Sequence, residues 1–150
     1  MFTQVKWLLA VFCIMFAMAA TAEPVHEAAE QGDAKAQAKL GAMYLLGHDG
    51  IEKSDIKAFE WILKAAKQGL VDAEVMVAAM YDRGIGVPSD VNTATSWYEK
   101  AAAKGHGASL AILGRNEVAK GGVAFSYQNM RLSAAKQIPT EYAKRFLLDK

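Results

Sequence analysis

The sequence has one cysteine, Cys13, and it lies inside an apolar run near the start. No disulfide framework can therefore hold the chain together, and its stability has to come from packing. A concentrated charge of either sign is also missing: 17 Lys and Arg face 16 Asp and Glu, with no basic run. Nucleic-acid binding needs a positive patch to displace counterions, and attraction to anionic lipid needs the same, so both are excluded as expectations. Strict apolar–polar alternation long enough for a strand is lacking as well. The three histidines, His26, His48 and His106, stand in separate segments without metal-ligand spacing, and neither a metal nor a cofactor is expected. Gly84-Ile85-Gly86 lacks the third glycine and the preceding strand of a dinucleotide site. Ser109, Ser126 and Ser133 sit in no nucleophile motif, and the carboxylates are scattered. No catalytic residue is nominated.

What is present at the start is a targeting pattern. Lys6 precedes the apolar run Trp7 to Met18, followed by Ala19-Ala20-Thr21-Ala22. A positive flank, a short apolar stretch and an Ala-x-Ala site predict a secretory signal over residues 1–22, cut between Ala22 and Glu23. The alternative is an uncleaved anchor, but the apolar stretch falls short of the roughly 20 residues a bilayer span needs. Phe12 before Cys13 does not fit a lipoprotein signal. Cleavage would remove Lys6 and leave a neutral, cysteine-free chain, periplasmic or secreted, with no membrane association.

The rest of the chain repeats. Trp61-Ile62-Leu63-Lys64-Ala65-Ala66-Lys67-Gln68-Gly69 returns as Trp97-Tyr98-Glu99-Lys100-Ala101-Ala102-Ala103-Lys104-Gly105. A period near 36 with glycine breaks predicts an all-α solenoid of antiparallel helix pairs, because such units bury their apolar faces only by stacking. The expected repeats cover 32–68, 69–104 and 105–137, each with a helix A followed by a helix B. Ala36, Leu40, Met43, Tyr44 and Gly47 fall on one helical face, and Ala73, Val77, Met80, Tyr81 and Gly84 repeat that face. Gly84 suits a left-handed helix end, and Ser89 or Asp90 can cap the following helix. Residues 24–31 predict a lone cap helix. Pro139 and Thr140 predict a break, then a second cap over 139–149 with Tyr142, Phe146 and Leu147 inward.

These residues resemble the Sel-1-like repeat family, relatives of the tetratricopeptide repeats. The second unit matches through Ala73, Val77, Ala78, Tyr81, Gly84, Gly86, Val87, Asp90, Ala94, Trp97, Tyr98, Lys100, Ala101, Ala102 and Gly105. The first matches through Ala36, Leu40, Gly41, Tyr44, Gly47, Gly50, Ile51, Lys57, Ala58, Trp61, Lys64, Ala65, Ala66 and Gly69. The third is degenerate, with Glu117 where Tyr is usual and Met130 where Trp is. The resemblance implies a non-enzymatic scaffold or adaptor that binds another protein, one version being an immunity-type protein that binds a toxin. It also implies an alternative, an enzyme on cell-wall or β-lactam substrates, known among cysteine-rich relatives whose cysteines are missing here. In related solenoids the A helices line the recognition face, which nominates Lys39, Leu46, Asp72, Met76, Arg83, Ile112 and Arg115 as partner-binding. The competing assignment is that Met76 and Ile112 complete the core.

Overall fold

The computed structural model describes the backbone of residues 23–119 and 124–148, and side chains over 24–113 and 136–148. The expected signal over residues 1–22 lies outside the described residues. Seven helices follow in order among these residues: α1 (Glu23–Glu30), α2 (Ala34–Leu46), α3 (Asp55–Lys67), α4 (Val71–Arg83), α5 (Val91–Ala103), α6 (Gly107–Ala119) and α7 (Ala124–Leu148). None is long and apolar enough to cross a membrane. The architecture is the predicted α-solenoid, with α2, α4 and α6 as A helices and α3 and α5 as B helices.

Local chemistry sets each boundary. Asp33 caps α2 by accepting from the Ala36 amide at 2.6 Å, and Ser54 caps α3 through Lys57 at 3.3 Å. Asp90 caps α5, accepting from the amides of Asn92 and Thr93. The Thr93 hydroxyl donates to the same carboxylate at 2.6 Å, and it is the main cause holding the Asp90 carboxyl below the usual carboxylate range. Helices α2 and α4 end on Gly47 and Gly84, both left-handed, whose amides return to Met43 and Met80.

Helix α2 crosses α3 at Gly41, where an added Cβ would collide with Ile62. The small residue lets the two backbones approach. Ala38, Ala42, Ala58, Ile62, Ala65, Met76 and Met80 continue as one buried cluster from the first repeat into the second. Tyr98, the largest fully buried side chain among the described residues, carries the core onward with Val75, Ala78, Ala79 and Ile112. On the outer side, the Lys64 and Lys100 ammonium groups lie 3.6 and 4.0 Å from the ring centroids of Trp61 and Trp97. Repeat-equivalent residues thus make repeat-equivalent cation–π contacts.

The joints between units are closed by a matched pair of clasps. At the first, Gln68 Nε2 donates to the Gly32 carbonyl at 2.9 Å and to Gln37 Oε1 at 2.7 Å. At the second, Lys104 Nζ donates to the Gly69 carbonyl at 3.0 Å and to Glu74 Oε1 at 2.7 Å. One clasp is neutral and the other charged, on the same frame. Lys104→Gln should cost about 1–2 kcal/mol, because it leaves the buried Glu74 carboxylate without its ammonium partner. Adding Glu74→Gln should return most of that loss by reproducing the first joint. Urea unfolding of both single variants and the double variant reads the coupling; additive losses would mean the two joints are not equivalent.

The expected break at Pro139 does not occur. Helix α7 runs through it as one element of 25 residues, so residues 139–148 are the end of a longer helix and not a separate cap. A proline inside a helix removes one amide donor and crowds the carbonyl four residues before it. Tertiary packing compensates here. Pro139 is itself buried, Ile138, Ala143 and Phe146 join the core, and Arg83 Nη1 donates to the Lys136 carbonyl at 3.0 Å. After packing on α6, the helix continues across α2 and α4.

Candidate protein-binding groove

The A helices α2 and α4 form a trough floored by Ala38, Ala42, Leu45, Met76 and Met80. Small residues on α2 make room, and the methionines of α4 shape themselves to what lies above. The trough is occupied. Residues 136–148 of α7 lie in it, with Ala143 and Phe146 in the same cluster as the floor. Arg83, at the end of α4, meets Lys136, while Asp72, at the start of α4, meets Arg145 at 3.6 Å. Helix α7 therefore runs antiparallel to α4.

One edge of the seated helix is latched to α6. His106 precedes that helix, and its Nδ1 accepts from the Ser109 amide at 3.2 Å. That bond requires the Nε2–H tautomer, so Nε2 donates to Tyr142 Oη at 2.6 Å. Burial pushes the Tyr142 phenol up, and the nearby Asp72 charge adds to the effect, so its oxygen stays protonated.

The nominated residues divide accordingly. Met76 and Ile112 are 0% and 2% exposed, so they are floor beneath the seated helix and not open surface. That corrects their nomination: helical spacing is the same for a core and for a groove, and α7 covers both. Leu46 is half-buried against the core. Asp72 and Arg83 hold the seated helix by its arginine and a main-chain carbonyl. Lys39 is half-buried and borders an open cavity of about 670 Å3, lined also by Val25, Lys35, Leu70, Asp72 and Phe146. The Arg115 side chain lies outside the described residues. What the sequence reading missed was Ile138; Tyr142 and Phe146 face inward as expected, but from a continuous helix lying in the trough and not from a separate cap. Their spacing of four residues was a visible signal, hidden by the break expected at Pro139.

A second cavity of about 560 Å3 opens at the second joint, between Gly69, Trp97, Lys67, Lys100 and Lys104. Among the described residues no group of three or more His, Cys, Asp or Glu could hold a metal ion.

Residues 34–70 and 71–106 each match the Sel1 repeat family. The chitin synthase regulator SKT5 of Saccharomyces cerevisiae is 42% identical over 77 residues, covering 51% of this chain and 11% of that protein. The Activator of C kinase protein 1 of the same yeast is 32% identical over 94 residues, covering 60% of this chain and 14% of that protein. The chain thus spans about a tenth of the length of the curated relatives it matches. Among solved structures, a Sel1 repeat protein from Oxalobacter formigenes aligns with a TM-score of 0.55 and 42% identity, covering 57% of this chain and 63% of that one. A protective antigen of uropathogenic Escherichia coli with an SLR fold aligns at the same TM-score and 25% identity, covering 84% of this chain and 26% of that one.

Proposed function

The chain is a helical repeat protein carrying two Sel1 repeats, and from that premise we propose that it is an exported, non-catalytic scaffold that binds another protein. The observation that carries this reading is the A-helix trough, whose floor and two charged ends are complementary to an amphipathic helix. Relatives named as a regulator and an activator support a role through binding. Residues 1–22 support export, with periplasmic or secreted localisation after cleavage before Glu23. The partner surface is the trough and its rim, comprising Lys39, Leu46, Asp72 and Arg83. A periplasmic toxin is the narrower partner class, which would make the protein an immunity factor.

The test uses the full chain expressed in its native envelope. Mass analysis should find Glu23 at the N-terminus. Affinity capture should return one stoichiometric protein partner, and Lys39→Glu combined with Arg83→Ala should reduce its recovery, the charge reversal acting mainly by slowing encounter. Undiminished recovery would reject the rim. Steady turnover of a chromogenic β-lactam or of peptidoglycan, lost on replacing a carboxylate, would replace the scaffold reading with the enzymatic one.

A further inference from the structure

The seated helix shows which chemistry the trough accepts. Its buried face presents Ile138, Tyr142 and Phe146 at i, i+4 and i+8, with Ala143 at i+5 where the floor comes close. Arg145, at i+7, reaches the carboxylate of Asp72. Arg83 reads a main-chain carbonyl, which requires no particular side chain at that position.

The same helix is an imperfect occupant. Pro139 lies inside it, so its helical form depends on the packing around it and not on the segment alone. Arg145 is 63% exposed and its ion pair is long, so solvent screens most of its contribution. Leu148 ends the helix exposed, and beside Phe146 a cavity lined by Val25 and Leu70 and bordered by Lys35 and Lys39 is left unfilled.

We propose that residues 136–148 are an internal stand-in, and that the partner docks by inserting an amphipathic helix of the same pattern in their place. That partner helix carries large apolar residues at i, i+4 and i+8, a small residue at i+5 and an arginine at i+7. It continues one turn further with an apolar and an acidic residue, which fill the cavity and meet Lys35. Free protein is then self-occluded, and the apparent affinity for the partner is lowered by the fraction of molecules in which the trough is open. The inference rests on the scaffold reading above and specifies its surface.

The probe is a fluorescent peptide with the sequence of residues 134–148, with Pro139 replaced by alanine. Two full-length variants open the trough. Ile138→Asp with Phe146→Asp removes the buried anchors, and Tyr142→Phe with Arg145→Ala removes only the latch and the ion pair. The probe should bind the first variant about 100-fold more tightly than the unaltered protein, and the second about 10-fold more tightly. Adding Met76→Asp should abolish both gains. Circular dichroism identifies a first variant that has lost its helices, in which case the milder variant decides. Hydrogen exchange of the unaltered protein should show residues 136–148 opening as a unit before α2 to α5. Equal binding to all three proteins, no binding to the milder variant, or exchange of residues 136–148 at the rate of the core would overturn the proposal. Partner capture that persists under any of those results leaves the scaffold reading intact and rejects only helix insertion. Failure of capture by the opened variants as well would remove the scaffold reading itself.

Discussion

Gly86→Ala should unfold this protein more readily than any other single-methyl addition in the described inter-helix links, lowering Tm by roughly 12–20 °C. Gly86 has a left-handed backbone, φ +68°, and sits against the start of α3 in the preceding repeat. An added Cβ would overlap the Asp55 carbonyl oxygen and come within 3.0 Å of Phe59 Cβ. The left-handed conformation alone costs about 1–2 kcal/mol for a residue with a Cβ. The collision is with main chain at a helix terminus, which cannot rotate away, so the repeats must separate. Together these effects amount to about 4 kcal/mol, in the range reserved for specific structural faults. Gly84 supplies the control. It has the same φ of +68°, but its nearest neighbours to a Cβ lie 3.5 Å away. Gly84→Ala should therefore cost only the conformational part, about 1 kcal/mol. Thermal unfolding of the two variants separates backbone strain from lack of space; equal losses would show that the contact with Asp55 does not matter.

Tyr98→Ala is the second large effect. The ring is completely buried where α4, α5, α6 and α7 meet, in a cluster with Val75, Ala79, Ile112 and Ile138. Removing a fully buried aromatic ring costs about 3–5 kcal/mol, the cavity adding to the lost transfer energy. Tyr98→Phe keeps the packing and removes only the hydroxyl, so it should cost about 1 kcal/mol. Because repeat stacks couple through neighbours, the damage should be directional. Hydrogen exchange in the alanine variant should rise most in α5, α6 and residues 136–148, with α2 and α3 protected longest. Uniform loss of protection along the chain would show that the solenoid unfolds as one body instead.

The repeat core was legible because its signals are local and doubled. The Trp61 and Trp97 stretches, the Gly47 and Gly84 ends and the Asp90 cap each rest on a short-range preference, and each took its expected place. The C-terminal region was not legible for the opposite reason. Proline rules describe a chain segment in isolation, whereas Pro139 is held in helical geometry by what packs on it. The trough suffered from an ambiguity of period. Met76 and Ile112 recur at helical spacing whether they face a partner, a core or, as here, a returning helix. Which of these applies depends on the path of residues 124–148 across the A helices, and no pattern within α2 or α4 encodes that path. The clasps at Gln68 and Lys104 were visible as aligned positions, but their partners Gln37 and Glu74 lie on other helices.

Helix α7 ties together helices far apart in sequence, since residues 136–148 share a core cluster with α2 as well as with α4. A stack held only by neighbours could condense progressively as it emerges from the ribosome or crosses a membrane. Here residues 136–148 act as the keystone, arriving after the helices they cover. Until they do, the part of the α2 and α4 core that Ala143 and Phe146 cover stands open to solvent, and a chain lacking residues 136–148 would present that apolar face permanently.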